Sequence, residues 1–448
     1  MPAPTELPRL EATPPDAHSV PATPASTPAA ALDQSLRDDL AALAAAGLRR
    51  SLDRPATRHD PGSIESCGAH LADFASNDYL GLAADPRPAA AAAAHLARGG
   101  LGAGAARLIG GDHPLHHALE RALADLKGTA RALLFPSGFA ANAGALPALA
   151  GPEDAIYSDA LNHASLVDGC RLSRATVRIL PHADPDALDR ALAADRGRFR
   201  RRWLVVEGVY SMDGDLWPLD RLVELARRHA AFTYVDDAHA TGVLGPDGRG
   251  TAAELGVEDA IDVTVGTLGK ALGTVGAFVA GSAALVETLV NRARTFVFTT
   301  ATPPALAAAT LAALEVAATE PERRARLHAN ARRLRTGLAA IGRPAPGAED
   351  GHVVPLVIGD AGATVAAGAA LRARGYAVGA IRPPTVPPGA ARLRLSVSAA
   401  HSPAQIDGLV AAIAAVLGPE PRPRPIVTRS GSADAPVGPA EPAPGASR

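Results

Sequence analysis

The sequence predicts an α/β protein with a mostly parallel sheet, followed by a smaller α+β domain. Short apolar segments alternate with amphipathic stretches of helical length between residues 132 and 280. The segment Trp203–Val209 is largely apolar and β-branched, as expected for a strand that is buried on both faces. After about Thr302 this alternation gives way to two long helical stretches. Strands that alternate with helices imply parallel pairing, with helices covering both faces of the sheet.

The elements of the larger unit are predicted from their hydrophobic period. Strands are predicted at Ala132–Pro136, Ala155–Tyr157, Thr176–Leu180, Trp203–Val209, Phe232–Val235, Ile261–Val265 and Gly276–Ala280. Helices between them are predicted at Gly138–Leu149, Ala164–Arg174 and Leu219–His229. A series in this order is typical of a sheet that is covered on both faces.

The smaller unit and the two chain ends follow different patterns. Helices are predicted at Pro304–Ala318, Pro321–Ile341, Ala363–Arg374 and Pro403–Leu417, and strands at Val353–Ile358, Tyr376–Arg382 and Arg392–Val397. Both chain ends are rich in proline and other small residues, which predicts disordered tails. The predicted organisation is a tail at 1–32, an N-terminal arm at 33–75, a large domain at 76–302, a small domain at 303–418 and a tail at 419–448.

Composition and charge exclude several classes of partner. The formal net charge is −2 and no basic block is present, so neither nucleic acid nor an anionic membrane is expected as a partner. No charge-free apolar run reaches the roughly 18 residues of a spanning helix, and the start of the chain lacks a secretory signal. The two cysteines, Cys67 and Cys170, form no zinc motif. We therefore expect a cytoplasmic protein without a bound metal.

Lysine is almost absent from this chain. Among 44 lysine and arginine residues, only Lys127 and Lys270 are lysines. Arginine can replace lysine at most surface positions, but its guanidinium group cannot form an imine with an aldehyde. A lysine that persists in such a sequence is therefore a candidate for covalent chemistry.

Lys270 lies in the glycine-rich segment Thr267–Gly273, just after a predicted strand. Small residues around the lysine would let an aldehyde-bearing ring approach closely. Thr267 could place its hydroxyl on a phosphate while the lysine holds the aldehyde carbon. An ordinary lysine in a glycine-rich loop is the alternative interpretation of this segment taken alone.

Acidic and histidine residues follow the neighbouring predicted strand. Asp236 and Asp237 come directly after Val235, and His239 follows them. Ligands bind at the carboxyl edge of an open α/β sheet, where these residues are expected to lie. There, Asp236 could keep a pyridine nitrogen protonated, and His239 could reach the phenolic oxygen of the same ring. Alternatively, the two aspartates could simply cap the next turn.

Three further turns supply candidates for phosphate and ring contacts. Gly138 and Phe139 open a predicted helix, and backbone N–H groups at a helix N-terminus bind phosphate well. His163 follows another strand and could stack on a cofactor ring, although a single histidine is more often structural. The segment from Glu207 to Ser211 adds a carboxylate and a hydroxyl at the same edge.

The segments that carry these residues occur in an order that is found in one enzyme family. They are SNDYLGL, PSGFAAN, LNHASLVDG, VEGVYSMDGD, VDDAHATGVLG, GTLGKALG and FVFTTATPP. In these motifs the chain resembles the α-oxoamine synthases over roughly residues 34–417. The resemblance implies pyridoxal 5′-phosphate (PLP) as the cofactor and the aspartate aminotransferase-like fold of PLP-dependent transferases, with a large domain and a smaller C-terminal one.

The resemblance assigns catalytic and ring-binding roles to five residues. Lys270 is expected to hold PLP as a Schiff base, and Asp236 to pair with the pyridine nitrogen. His163 is expected to stack on the ring. Ser211 and His239 are expected to bond its phenolic oxygen. Lys270, Asp236 and His163 are the catalytic candidates.

The resemblance also assigns contacts to the cofactor's phosphate and implies a second subunit. Gly138, Phe139 and Thr267 are expected to hold the edge and the phosphate of PLP. Thr299 and Thr300 lie where the family contributes phosphate contacts from the neighbouring subunit. The resemblance therefore implies a homodimer.

Substrate residues follow from the same resemblance. Arg394 matches the arginine that grips the amino-acid carboxylate, and Arg49 and Thr385 match acyl-substrate positions. The segments Ala380–Pro387 and Ala391–His401 point to the branch of the family that condenses L-alanine with a pimeloyl thioester. The acyl carrier is left open between coenzyme A and an acyl-carrier protein.

Two alternatives remain open at the level of sequence. A relative that uses glycine or serine would share almost every cofactor residue. A non-catalytic protein of the same fold, acting as a scaffold through its proline-rich tails, is the other alternative. The stretch Leu101–Gly111 carries alanines where relatives often have serine, which leaves the acyl preference open.

Overall fold

The computed structural model describes residues 28–52 and 54–418. The helices are α1 Pro28–Ala45, α2 Pro86–Gly99, α3 Pro114–Lys127, α4 Gly138–Leu149, α5 Ala164–Ser173, α6 Pro185–Ala194, α7 Leu219–His229, α8 Thr251–Glu254, α9 Ala283–Arg292, α10 Arg294–Val297, α11 Pro304–Thr319, α12 Glu322–Ala340, α13 Ala361–Arg372 and α14 Pro403–Leu417. The strands are β1 Ala56–Thr57, β2 Ser63–Ser66, β3 Ala69–Phe74, β4 Arg131–Phe135, β5 Ala155–Asp159, β6 Thr176–Leu180, β7 Arg202–Glu207, β8 Phe232–Asp236, β9 Val263–Thr267, β10 Ala277–Gly281, β11 Val353–Gly359, β12 Tyr376–Ile381 and β13 Ala391–Ser396.

The larger sheet has seven strands in the order β4-β10-β9-β8-β7-β5-β6. The strands from β9 to β6 pair in parallel, whereas β10 is antiparallel to both β4 and β9. Strand β7 is central, and it is buried from Trp203 to its last residue, Glu207. Because helices cover both faces, such a strand has no polar side to present to water.

The smaller sheet has six strands in the order β1-β2-β3-β12-β13-β11. Its first three strands come from the segment that the sequence pattern assigned to an N-terminal arm. Strand β3 pairs in parallel with β12, and its Phe74 packs against Tyr376 and stacks on His401 with ring centroids 3.8 Å apart. Burial of this aromatic residue joins the hairpin of β2 and β3 to the C-terminal unit.

Local capping signals set several helix boundaries. Ser402 accepts the backbone N–H of Gln405, and the Gln405 side chain accepts the N–H of Ser402, which forms a capping box at the start of α14. Ser137 caps α4 by accepting the N–H of Ala140. At both helices the predicted and observed boundaries agree.

The predicted α/β class and the mostly parallel sheet are confirmed, although the bounds of several elements differ from the prediction and helices such as α2, α3, α6 and α9 were not predicted. Strand β7 ends at Glu207 rather than at Val209, because Val209 leaves the sheet to form an isolated bridge with Leu216. Strand β9 begins two residues later than the predicted Ile261. Helix α1 begins at Pro28, inside the predicted tail at 1–32.

Residues 1–27 and the predicted tail at 419–448 lie outside the described residues. No helix within 28–418 is long and apolar enough to cross a membrane.

Lys127, the second lysine, has a structural explanation. Its buried Nζ donates to Oδ2 of Asp237 at 2.8 Å and to the carbonyl of Arg249 at 2.5 Å. Asp237 Oδ1 accepts the N–H and the hydroxyl of Thr251. A Cβ added at Gly250 would lie 2.7 Å from Lys127 Nζ, so the space suits a compact ammonium better than a planar guanidinium. This ion pair ties α3 to the turn that follows β8.

Replacing Lys127 should destabilise the protein strongly. The change Lys127→Met leaves the buried Asp237 carboxylate without its cation, so we expect a loss of about 3–5 kcal/mol in the free energy of unfolding. Lys127→Arg should not restore the stability, since the larger group does not fit. Urea denaturation of the purified variants measures the loss.

A matched control is Asp407→Asn, which removes the exposed ion pair between Arg333 and Asp407. Exposed ion pairs contribute little, so this variant should unfold close to wild type. A Lys127→Met variant as stable as the control would contradict the assigned role of the buried pair.

Candidate active site

The ends of three neighbouring strands define the site. Glu207, Asp236 and Thr267 are the last residues of β7, β8 and β9. Glu207 pairs in register with Asp236, and Asp236 with Val265. The carboxyl ends of these parallel strands therefore bring two carboxyl groups and the lysine-bearing loop to one edge, where open α/β sheets bind their ligands.

Asp236 is buried and held by fixed donors. Its Oδ2 accepts Nδ2 of Asn142 at 2.6 Å, and its Oδ1 accepts the N–H of Ala238 at 3.0 Å. Asn142 is itself oriented by the Tyr234 hydroxyl, which donates to Asn142 Oδ1 at 2.8 Å. Each carboxylate oxygen keeps capacity for a further hydrogen bond. The sequence motif PSGFAAN contains Asn142, but its role becomes visible only when α4 packs beside β8.

The hydrogen bonds and the burial of His163 favour the neutral form of its imidazole. It is the N-cap of α5, where its Nδ1 accepts the N–H of Ser165 and lies 2.8 Å from the Ser165 hydroxyl. Asn142 Nδ2 donates to that hydroxyl oxygen, so we assign the hydroxyl proton to His163 Nδ1. Desolvation and the nearby Lys270 lower the pKa of His163, against an opposing effect of Asp236. An uncharged ring of this kind suits stacking on an aromatic cofactor.

Lys270 follows β9, and its side-chain amine makes no hydrogen bond or salt bridge with the described residues. Burial lowers the pKa of its amine to about 8, although Asp236 and Glu207 act in the opposite direction. The guanidinium of Arg394 lowers the pKa further. An amine with a lowered pKa is more often in the neutral form, which is the form that attacks an aldehyde.

A second polar network runs from the small domain to the site. Arg394 on β13 is buried, and it donates from Nε to the carbonyl of Ser211 at 2.5 Å and from Nη1 to Asn77 Oδ1 at 2.9 Å. Its Nη2 donates to the Tyr79 hydroxyl, which lies 2.6 Å from His239 Nδ1. Burial, with Lys270 and Arg394 nearby, lowers the pKa of His239 well below its usual range. The Tyr79 hydroxyl also lies 3.1 Å from Asn77 Oδ1, and we assign its proton to the shorter contact with Nδ1, which leaves Nε2–H of the neutral His239 as a donor.

The start of α4 offers a place for an anion. Ser137 caps the third residue of the helix, and the N–H groups of Gly138 and Phe139 have no partner within the helix. A Cβ added at Gly138 would meet no atom within 4 Å, so space is open beside these donors. Thr267 Oγ1 donates to the carbonyl of Gly276 at 3.1 Å in this structure. Its contact with a phosphate stays a prediction.

Thr299 and Thr300 lie beside the segment that contains Ala106 and Arg107. Thr300 bridges to Ala106, and both threonines line a small cavity with Arg107 and Pro136, just before the start of α4. Their role as phosphate ligands of a neighbouring subunit stays a prediction.

Arg49 and Thr385 both contact Arg382, the first through its side chain and the second through its backbone carbonyl. Arg382 Nη2 donates to the carbonyl of Arg49 at 2.8 Å, and the N–H of Thr385 donates to the carbonyl of Arg382 at 3.2 Å. Arg49 and Thr385 are both exposed. The structure therefore brings the two predicted acyl-substrate residues into one neighbourhood, and their role toward an acyl group stays a prediction.

The chemistry of these donors fits PLP. The edge supplies an amine of lowered pKa for an aldehyde and a fixed carboxylate for a pyridinium nitrogen. A neutral imidazole lies at the same edge, and open N–H groups at a helix start suit a phosphate. Among residues 28–418 no group of three or more His, Cys, Asp or Glu side chains is arranged to hold a metal ion.

Comparisons with known proteins agree with this geometry. The family model for aminotransferase class I and II matches residues 69–413. The 8-amino-7-oxononanoate synthase of Anaeromyxobacter dehalogenans (strain 2CP-1) is 55% identical over 379 residues, which are 85% of this chain and 94% of that protein.

Solved structures resemble the chain along most of its length. A serine palmitoyltransferase from S. paucimobilis with a bound PLP–myriocin aldimine gives a TM-score of 0.81 at 32% identity, covering 86% of this chain and 97% of that one. The 8-amino-7-oxononanoate synthase from Francisella tularensis gives a TM-score of 0.66 at 28% identity, covering 77% and 97%. The predicted family is confirmed. The chain belongs to the aminotransferase class I and II family and, within it, to the family of the 8-amino-7-oxononanoate synthases.

Proposed function

We propose that the chain is a PLP-dependent acyltransferase that condenses L-alanine with a pimeloyl thioester. The products are 8-amino-7-oxononanoate, CO2 and the free thiol, as in biotin synthesis. One observation carries the proposal: Lys270, with its lowered pKa, shares the strand edge with the fixed carboxylate of Asp236. This arrangement occurs in a chain that is 55% identical to an 8-amino-7-oxononanoate synthase.

When bound, PLP supplies a protonated pyridine ring that takes up the negative charge developing at the α-carbon of the amino acid. Lys270 would hold the aldehyde carbon of PLP and, once released as a free amine, would remove the α-proton of alanine. Asp236 would keep the proton on the ring nitrogen, because its carboxylate is held in place by Asn142. His163 would cover one face of the ring.

The remaining cofactor contacts come from the strand and helix ends. Gly138 and Phe139 would donate their free N–H groups to the phosphate, where the partial positive charge of the helix N-terminus favours an anion. Thr267 would add its hydroxyl. Ser211 and the Nε2–H of His239 would donate to the phenolic oxygen of the ring. Each of these groups orients PLP and takes no proton from the substrate.

Arg394 would bind the carboxylate of alanine. Three of its nitrogen atoms already donate to Ser211, Asn77 and Tyr79, which fixes the plane of the guanidinium. Nη1 also donates to the Ser396 hydroxyl, so of the five N–H donors of the guanidinium one, on Nη2, remains for a substrate carboxylate. Arg49 and Thr385 would contact the acyl group, which arrives on coenzyme A or on an acyl-carrier protein.

A homodimer is part of this proposal. Large apolar side chains are exposed on segments beside the site: Ile109 is 81% exposed, Phe139 48% and Phe298 70%. Large apolar side chains exposed to this extent are candidates for a surface that a partner covers. A second copy of the chain would cover them and bring its Thr299 and Thr300 to the phosphate.

A sister reaction is the second candidate. The serine palmitoyltransferase structure gives a higher TM-score than the Francisella tularensis synthase, so the backbone alone does not favour alanine over serine. The amino-acid choice must come from side chains, and there the identity of 55% to an 8-amino-7-oxononanoate synthase exceeds the 32% to the palmitoyltransferase.

Alanine should be the preferred amino acid. With pimeloyl-CoA as acyl donor, we expect kcat/KM for L-alanine to exceed that for glycine and for L-serine, measured by release of the free thiol. Equal mixtures of the three amino acids, with the products separated by mass, provide the internal control. Preference for glycine or serine would retain the cofactor chemistry and contradict the proposed substrate.

The Asp236 carboxylate and its orientation should both matter for turnover. We expect Asp236→Asn to abolish most turnover, because the ring nitrogen then has no counter-charge. Asn142→Ala should reduce kcat by about tenfold or more, since a hydrogen bond to a charged group contributes about 1.5–3 kcal/mol. Steady-state kinetics measures both, and circular dichroism checks that each variant is folded. Full turnover in Asp236→Asn would contradict the role of this carboxylate.

The lowered pKa of Lys270 predicts how PLP loading depends on pH. The neutral amine is the reacting form, so the rate at which PLP becomes attached to the apoprotein should rise as the pH increases through about 8 and then level off. Stopped-flow absorbance of the cofactor band measures this rate. A rate that rises only near the ordinary pKa of a lysine would contradict the lowered value.

A further inference from the structure

Glu207 lies between two residues that are predicted to contact PLP. It is the buried last residue of β7, and its Oε1 accepts the backbone N–H of His163 at 2.6 Å. The backbone N–H of Ser211, four residues further along the chain, also lowers the pKa of this carboxyl group. One side chain therefore joins the turn after β5 to the turn after β7, and these turns carry the ring-stacking imidazole and the hydroxyl for the phenolic oxygen.

The backbone at this point has little freedom to move. The N–H of Gly208 donates to the carbonyl of Asp236 at 2.8 Å. A Cβ added at Gly208 would lie 2.5 Å from Thr251 Oγ1 and 2.6 Å from Asp237 Oδ1. The strand end is thus packed directly against the turn that carries Asp236, and the position of the Glu207 carboxyl group is fixed with it.

Charged and titratable groups face Glu207 from each neighbouring element. Asp236 lies in register on β8, Lys270 follows β9, and His163 precedes α5. Arg394 approaches from β13 through the carbonyl of Ser211. Two neighbouring buried carboxyl groups cannot both be ionised at low cost. Asp236 has a donor on each oxygen and is the group predicted to face the ring nitrogen, so it is the one expected to carry the charge.

The electrostatic surroundings agree with this division. Burial raises the pKa of Glu207 to about 8, Asp236 raises it further, and the His163 N–H and Lys270 oppose the shift. At neutral pH the Glu207 side chain is therefore mostly uncharged. An uncharged carboxyl group still accepts hydrogen bonds on its carbonyl oxygen, so it can hold the two turns without adding a second negative charge beside Asp236.

We propose that Glu207 is a positioning residue that acts as an uncharged carboxylic acid, holding the His163 and Ser211 turns in place around PLP and leaving the negative charge of the site to Asp236. The inference rests on the proposed function only in placing PLP at this edge. The state of the Glu207 proton can be measured without any cofactor.

Infrared spectroscopy of the apoprotein tests the proton directly. Wild type should show the carbonyl stretch of a protonated carboxyl group at pH 7, and comparison with Glu207→Gln assigns that band to Glu207. The band should disappear as the pH is raised past about 8 and should be absent in Glu207→Gln. The same band in Glu207→Gln, or none in wild type, would overturn the proposal.

PLP affinity and pH profiles test the positioning role. Glu207→Leu leaves the buried N–H of His163 without its acceptor, so we expect PLP to bind about tenfold more weakly. Glu207→Gln keeps a carbonyl acceptor and should recover most of that loss. Its kcat should also lack the decline above about pH 8 that ionisation of Glu207 produces in wild type. Glu224→Gln, at an exposed acid on α7, is the matched control.

The outcomes separate this inference from the proposed function. Wild-type PLP affinity in Glu207→Leu, or an unchanged alkaline decline in Glu207→Gln, would overturn the role of Glu207 and leave the alanine reaction standing. A wild-type protein that binds PLP but does not use alanine would overturn the substrate alone. If Glu207→Leu does not fold, the infrared band and the pH profile of Glu207→Gln still test the proposed role of Glu207.

Discussion

The position of one buried carboxylate, Asp236, is the constraint on which the rest of the site depends. It lies at the end of a central parallel strand, where Asn142 and a backbone N–H hold its two oxygens. The same Asn142 side chain donates to Ser165, which bonds His163. The Asn142 amide therefore orients two groups together. One is the Asp236 carboxylate, which would hold a pyridinium nitrogen, and the other is the His163 imidazole, which would stack on the ring.

The neighbouring groups avoid further charge. Burial lowers the pKa of His163 and of His239, and it raises the pKa of Glu207, so all three tend toward their neutral forms near pH 7. Lys270 is brought to a pKa of about 8 by the same burial. A site with few charges strengthens each remaining electrostatic interaction, since the local dielectric is low. The arrangement suits a reaction in which negative charge develops at a carbon atom beside a protonated ring.

Much of the fold and the site followed from local sequence signals, and the rest depended on distant parts of the chain. The hydrophobic pattern predicted α4, α7 and α14 with their observed bounds. The antiparallel direction of β10 and the joining of β3 to β12 were not predicted, because a short apolar segment does not specify its neighbour. Asn142 lay in a quoted motif without a role, since its partner is 94 residues away. The scarcity of lysine pointed to Lys270, and its glycine-rich motif after a strand, with the family resemblance, predicted its role.

The most direct test of the account is to locate PLP on the chain. The protein loaded with PLP is reduced with borohydride, digested and mapped by mass spectrometry, and the two lysines make the assignment unambiguous. We expect the cofactor on the peptide that contains Lys270 and none on the peptide with Lys127, whose amine is buried against Asp237. Attachment at Lys127, or no attachment at all, would contradict the central claim that Lys270 holds the cofactor.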